Sequence, residues 1–221
     1  MLHLILVRHG ETEWNVLRRY HGQTDIPLSA RGKQQAELVA ERLVGQKIDA
    51  VYASDLSRAW ETAQIIAEKN GLEVSPEQRL RELKFGVLEG LTFDEAETRY
   101  PDMIAAWLED FNNTPEGAET IASFNVRVAS LMDDFKRKHD EEIVLLVGHG
   151  GSLSETLRVV LGLSSEKRWY LEMENTSLSE VLISEEYVSL KRLNDTCHLA
   201  SLKNFKAGPI NSVQGVHIGC S

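Results

Sequence analysis

Two short stretches carry residue types able to do chemistry on an anion. Arg8-His9-Gly10-Glu11-Thr12 ends an apolar run at residues 2–7, and Gly148-His149-Gly150-Gly151 ends another at residues 143–147. In an open α/β sheet, ligands bind just outside the carboxyl ends of the strands. Both histidines are therefore placed where a site belongs. A helix starting near Ser152 would aim its N-terminal amides at the same rim, which favours an anion. A single histidine is most often a surface or satisfied core residue. Two of them, each beside glycine at a strand end, point instead to a shared site.

Two more residues fit this chemistry. Arg58 falls in the first turn of the helix expected after residues 50–53, where the dipole disfavours a cation. The plain alternative is a solvated arginine. A phosphate clamp accounts for it better, because the planar guanidinium fork binds two phosphate oxygens and the anion offsets the dipole. Ser57 or Asp55 is expected to cap that helix. Glu82, in the loop-like Arg81-Glu82-Leu83, reads alone as an exposed carboxylate. Beside a phosphate site it becomes a candidate general acid. Metal binding needs several ligands at suitable spacing. His3, His21, His139, His198 and His217 offer none, so no metal and no cofactor is expected. Residues 148–152 lack the Lys-Ser/Thr of a nucleotide-binding P-loop.

These residues need elements to hold them. Runs at 2–7, 50–53 and 143–147 read as buried parallel strands. Apolar stripes through Ala59, Ala63, Ile66 and Ala67, through Phe124, Val128, Leu131, Met132 and Phe135, and through Leu153, Leu157, Val160 and Leu161 read as helices. The alternation predicts an α/β fold. It is a three-layer α/β/α sandwich whose mostly parallel sheet has an antiparallel edge. Late strands are expected at 168–173, 178–184 and 187–193. Residues 93–114, broken at Pro101, are expected to form a small helical cap. One domain should span residues 1–199, followed by a loosely ordered tail at 200–221.

The chain has 221 residues and a net charge of −10. That acidity disfavours a nucleic-acid surface, though an arginine cluster can still take a small anion. Only Cys197 and Cys220 are present, so no disulfide framework is expected and a reducing cytoplasm fits. Residues 1–7 have no basic flank or cleavage signal, and no apolar run approaches the ~20 residues of a membrane span. Edge strands would allow a homodimer but do not require one.

Taken together, Arg8-His9-Gly10-Glu11-Thr12, Arg58, Glu82 and His149, in that order on a β/α background, resemble the histidine phosphatase superfamily, in its phosphoglycerate-mutase-like branch. The resemblance runs over about residues 2–199. It implies that His9 attacks phosphorus and forms a phosphohistidine, and that Arg8, Arg58 and His149 hold the phosphoryl oxygens. Glu82 would protonate the leaving alcohol and then deprotonate water. Asn15 matches a phosphate-contacting position, and Gly22 and Gly150 are expected against the substrate. His21 replaces a more usual Gln or Ser, and Leu88 replaces an aromatic residue expected in the pocket wall. Only 66 residues lie between Glu82 and His149. Bisphosphoglycerate-dependent mutases carry a longer insertion there, so the resemblance favours a phosphatase acting on a small phosphorylated metabolite. Residues 22–29, 148–151, 175–177 and 193–196 are similar to the α-ribazole-phosphate phosphatase group. The alternatives are a cofactor-dependent phosphoglycerate mutase and a catalytically silent phospho-ligand-binding protein. The silent protein is disfavoured because every expected catalytic residue is present.

Overall fold

The computed structural model describes residues 1–164 and 171–202. Six strands form one sheet: β1 (Leu2–Arg8), β2 (Ala50–Ala53), β3 (Val74–Pro76), β4 (Ile143–Gly148), β5 (Leu178–Ile183) and β6 (Val188–Asp195). Their order is β3-β2-β4-β1-β5-β6. The first four are parallel, β5 runs antiparallel to β1, and β6 antiparallel to β5. The parallel sheet with an antiparallel edge is the expected architecture.

Strand alternation assigns the core to two layers. Leu4, Leu6, Val144 and Leu146 face α6 (Ile121–Lys138) and α7 (Gly150–Val160), meeting Leu131, Met132, Leu153 and Leu157. Ile5, Val7, Leu145 and Val147 face the other way. They meet Val39 and Leu43 of α2 (Ala30–Leu43) and Ala59, Ala63 and Ile66 of α3 (Ser57–Asn70). With helices on both faces, β1 and β4 can be apolar almost throughout. Their register pairs Arg8 with Gly148, so both strands end level and deliver His9 and His149 side by side.

A cap is inserted between β3 and α6. It comprises α4 (Phe93–Arg99) and α5 (Pro101–Glu109), with Pro101 opening α5. At that position a missing N–H costs nothing. Ala96, Ile104, Trp107 and Leu88 form its own small core. Leu88 is fully buried there, so it packs the cap rather than lining a pocket as expected. Tyr20, from the loop after the short α1 (Glu13–Val16), packs on Phe85 and Trp107 and exchanges backbone hydrogen bonds with Gly90 and Leu91. The cap is thereby tied to the loop leading from the β1 end.

Several local expectations change. The N-terminus of α3 is not capped by Ser57 or Asp55. Asp55 instead pairs with Arg81 (2.6 Å), and the Ser57 N–H donates to Asp25 of a neighbouring loop (2.8 Å). Of the strand expected at 168–173, residues 168–170 lie outside the described residues, and 171–173 are not extended in the sheet. There the Met173 carbonyl accepts from Arg8 instead of a ladder partner. The last packed side chains described lie just before the expected start of the tail at residue 200. Cys197–Ser201 form a 3-10 turn that buries Leu199, and His198 meets Arg42 of α2. The remainder of the expected tail, from residue 203, lies outside the described residues.

Candidate active site

The backbone after β1 is held before any side chain acts. The Gly10 N–H donates to Thr62 Oγ1 of α3 (3.1 Å), and the Glu11 N–H donates to the buried Gln35 of α2 (2.8 Å). Asn175 Nδ2 donates to the His9 carbonyl (3.0 Å), and the Thr176 N–H donates to the Arg8 carbonyl (3.0 Å). Thr176 does this at φ 53°, a left-handed conformation that is strained for a β-branched residue. The turn at 174–177 therefore stores strain directly behind His9.

His9 is 3% exposed. Its Nδ1 lies 2.7 Å from the Gly10 carbonyl. A carbonyl can only accept, so Nδ1 carries the proton and Nε2 keeps its lone pair. Burial, with Arg58 and Arg8 nearby, holds the His9 pKa well below the ordinary value. The ring stays neutral and nucleophilic.

The first turn of α7 gathers the other candidates. His149 lies edge-on to His9, ring centroids 5.1 Å apart, and accepts from Arg58 Nε at Nδ1 (3.2 Å). Its Nε2–H donates to Ser54 Oγ (2.9 Å), so both ring nitrogens are engaged within the protein. Burial and the two arginines depress its pKa. Gly150 lies against Arg8: a Cβ there would stand 3.7 Å from the guanidinium. The Gly151 N–H donates to Glu82 Oε2 (3.0 Å), and the Leu83 N–H donates to Oε1 (2.8 Å). A Cβ on Gly151 would stand 2.3 Å from Glu82 Oε1, so only glycine admits the carboxylate so close.

Two arginines supply positive charge. Arg58 is fully buried, and its terminal nitrogens donate to the carbonyls of Gly22 (2.8 Å) and Thr24 (2.9 Å). Burial, chiefly, lowers its pKa to about 10, so it remains charged at neutral pH. Arg8 donates to the Met173 carbonyl (2.5 Å), but its Nε is buried with no acceptor among the described residues. A buried N–H without a partner is costly, and an incoming phosphoryl oxygen would satisfy it. Asn15 caps α1 from within, its Oδ1 accepting from the Thr12 N–H (3.0 Å), which leaves its amide NH₂ to donate. His21 is half-buried and 6.3 Å from His9, centroid to centroid. Its Nδ1–H donates to the Arg19 carbonyl (3.0 Å) and its Nε2 accepts from the Thr12 hydroxyl (2.6 Å). Burial and the arginines push its pKa down to about 3. Among the described residues, no cluster of His, Cys, Asp or Glu is arranged to hold a metal.

Other residues hold the site through backbone carbonyls. Arg127 of α6 donates to the carbonyls of Arg79 (2.7 Å), Arg81 (2.8 Å) and Glu82 (3.3 Å) and is braced by Glu119 (2.7 Å). Gln23 Nε2 also donates to the Glu82 carbonyl (3.1 Å). Both reach the site through backbone carbonyls, which residue spacing does not reveal; Gln23 alone lies in a segment, residues 22–29, that the sequence singled out.

Fold and rim chemistry together put the chain among α/β enzymes that act on phosphate esters. It belongs to the histidine phosphatase superfamily, whose branch 1 family model matches residues 4–196. It is 36% identical over 200 residues to phosphoserine phosphatase 1 of Hydrogenobacter thermophilus, covering 90% of this chain and 95% of that protein. It is 41% identical over 184 residues to the protein named "Probable phosphoglycerate mutase GpmB" in Serratia proteamaculans, covering 82% and 85%. Among solved structures it resembles the α-ribazole phosphatase from Shigella flexneri, with a TM-score of 0.83 and 29% identity over 88% of this chain and 96% of that one. The chain is a phosphatase of this superfamily.

Proposed function

We propose that the chain hydrolyses small phosphomonoesters through a phosphohistidine formed on His9. The observation that carries this is the hydrogen bond from His9 Nδ1 to the Gly10 carbonyl, which leaves Nε2 unprotonated near Arg8 and the buried Arg58. Nε2 attacks phosphorus in line as the P–O bond to the alcohol breaks. Arg8, Arg58 and the amides at the start of α7 take up the charge on the equatorial oxygens, with Asn15 donating at the edge. His149 aims Arg58 through Nε and packs against His9. Gly22 and Gly150 border the bound phosphoryl group through backbone atoms, and His21 walls the site. Glu82 gives its proton to the departing alkoxide, then removes one from water, whose oxygen attacks phosphorus and frees His9. The site forms within one domain at residues 1–199, and the enzyme works in the cytoplasm.

The identity to a phosphoserine phosphatase and the structural likeness to an α-ribazole phosphatase support two substrates, phosphoserine and α-ribazole 5'-phosphate. A homodimer belongs to the same proposal, because among the described residues β6 leaves one edge unpaired with Val188 and Leu190 exposed. Light scattering tests it. The mutase relative favours a second function, isomerisation of phosphoglycerate. The deciding experiment is a phosphatase panel containing both substrates, run beside a bisphosphoglycerate-primed mutase assay. Hydrolysis without isomerisation is expected, and fast isomerisation with little phosphate release would reverse the proposal.

A further inference from the structure

We propose that Glu89 is a positioning residue, one that sets the phosphate clamp by fixing the turn at residues 22–24. The inference rests on the phosphatase reading above and deepens it. Glu89 follows the 3-10 turn Gly86–Leu88 at the base of the cap, and both its carboxylate oxygens are taken up by the protein. Its Oε1 accepts from the N–H groups of Gln23 (3.1 Å) and Phe85 (3.0 Å). Its Oε2 accepts from the N–H of Thr24 (2.9 Å) and from the Thr24 hydroxyl. The opposite side of the same turn faces Arg58, which donates to the carbonyls of Gly22 and Thr24.

One peptide unit is the link. The Gly22 C=O accepts from Arg58 at 2.8 Å, and the N–H of that same peptide, on Gln23, donates to Glu89. In a trans peptide these two groups point in opposite directions. The unit is therefore fixed between a carboxylate and a guanidinium, and its dipole is aligned with both charges. Gly22 adopts φ +52°, and a Cβ there would stand 2.0 Å from Glu89 Oε1. The carboxylate thus occupies the space that a side chain at residue 22 would need. Glu89 also helps hold Arg58 in its charged form across the turn. Without it, the carbonyls that aim Arg58 lose their fixed direction.

Glu89→Gln keeps the shape but turns one acceptor oxygen into an NH₂ group facing N–H donors. Hydrogen bonds to a charged group are the strong ones, so losing them should weaken the clamp by about tenfold or more. The probe is inorganic phosphate, measured as a competitive inhibitor of aryl phosphate hydrolysis. Its Ki does not depend on the fraction of active enzyme, so a variant that is merely less well folded leaves it unchanged. The expected result for Glu89→Gln is a Ki raised about tenfold, with the dependence of kcat on leaving group retained. Glu82 keeps that dependence because its carboxylate is held by Leu83 and Gly151, outside the turn, and its carbonyl, which Gln23 of the turn also meets, keeps Arg127. Gly22→Ala, which displaces the carboxylate from the other side, should raise Ki in the same direction and stands in if Glu89→Gln does not fold. A parental Ki in either folded variant overturns the inference. The parent is measured first: failure to hydrolyse aryl phosphates or to bind phosphate would overturn the phosphatase reading itself.

Discussion

Gly151→Ala separates the chemistry of Glu82 from the stability of the fold, because it should cut the first sharply and leave the second nearly unchanged. The new Cβ would stand 2.3 Å from Glu82 Oε1 and 3.1 Å from its Cδ. An ordinary contact needs about 1 Å more than the shorter of these, so the carboxylate must move by roughly that amount. The hydrogen bond from the Gly151 N–H to Oε2 (3.0 Å) is then stretched or lost. A displacement of ~1 Å at a proton-transferring group costs on the order of a hundredfold in rate. Stability should hardly suffer. The group that moves is the end of a flexible side chain, and Ala in the first turn of α7 gains about 0.5–1 kcal/mol over Gly, offsetting part of the lost bond. The assay is kcat/KM across aryl and alkyl phosphates of graded leaving-group pKa, with Tm measured alongside. Alkyl phosphates should lose about a hundredfold, good aryl leaving groups far less, and Tm should change by only a few degrees. An equal loss across the series, or unchanged rates, would refute Glu82 as the acid delivered by α7.

Three further outcomes follow from the same geometry. His21 has a pKa of about 3 against an ordinary 6.5, so the unfolded chain takes up a proton below pH 6.5 that the folded chain refuses. Stability is therefore lost as pH falls from 6.5 towards 3, by about 3 kcal/mol from His21 at pH 4.5, with His9 and His149 acting in the same direction. Thermal melts of His21→Gln should show a smaller acid-induced drop in Tm than the parent, and parallel curves would contradict this. Arg127→Met frees the carbonyls of Arg79, Arg81 and Glu82. It should lower kcat on poor leaving groups by about tenfold with phosphate Ki unchanged, and a changed Ki would assign Arg127 to the clamp instead. Arg58→Lys loses the fork that spans His149 and two carbonyls and should raise phosphate Ki by at least about tenfold, whereas parental inhibition would remove Arg58 from phosphate binding.

The catalytic candidates were legible in the sequence because they are reactive residue types at the ends of apolar strands, with glycines beside them. The main strands were legible because a covered parallel sheet leaves its central members apolar on both faces, as in residues 143–147. What escaped has a physical reason in each case. α2 buries Gly32, Gln35, Ala36 and Ala40 beside Val39 and Leu43, so small and polar residues dilute its apolar stripe. β3 is a three-residue edge strand ending in Pro76. The cap of α3 comes from Asp25, far along the chain, where no local cue could reveal it. Glu89 and Arg127 act on backbone N–H and C=O groups. Any residue can offer those groups, so only the folded chain shows which of them meet.

The central claim is that His9 carries the phosphoryl group. Rapid quenching of the enzyme during turnover, followed by mass spectrometry of the peptide containing His9, tests it most directly. The account predicts an acid-labile, base-stable phosphoryl group on His9 that forms before alcohol and phosphate release equalise. It also predicts that His9→Ala shows neither the adduct nor turnover. A phosphoryl group on another residue, or undiminished hydrolysis by His9→Ala, would contradict it.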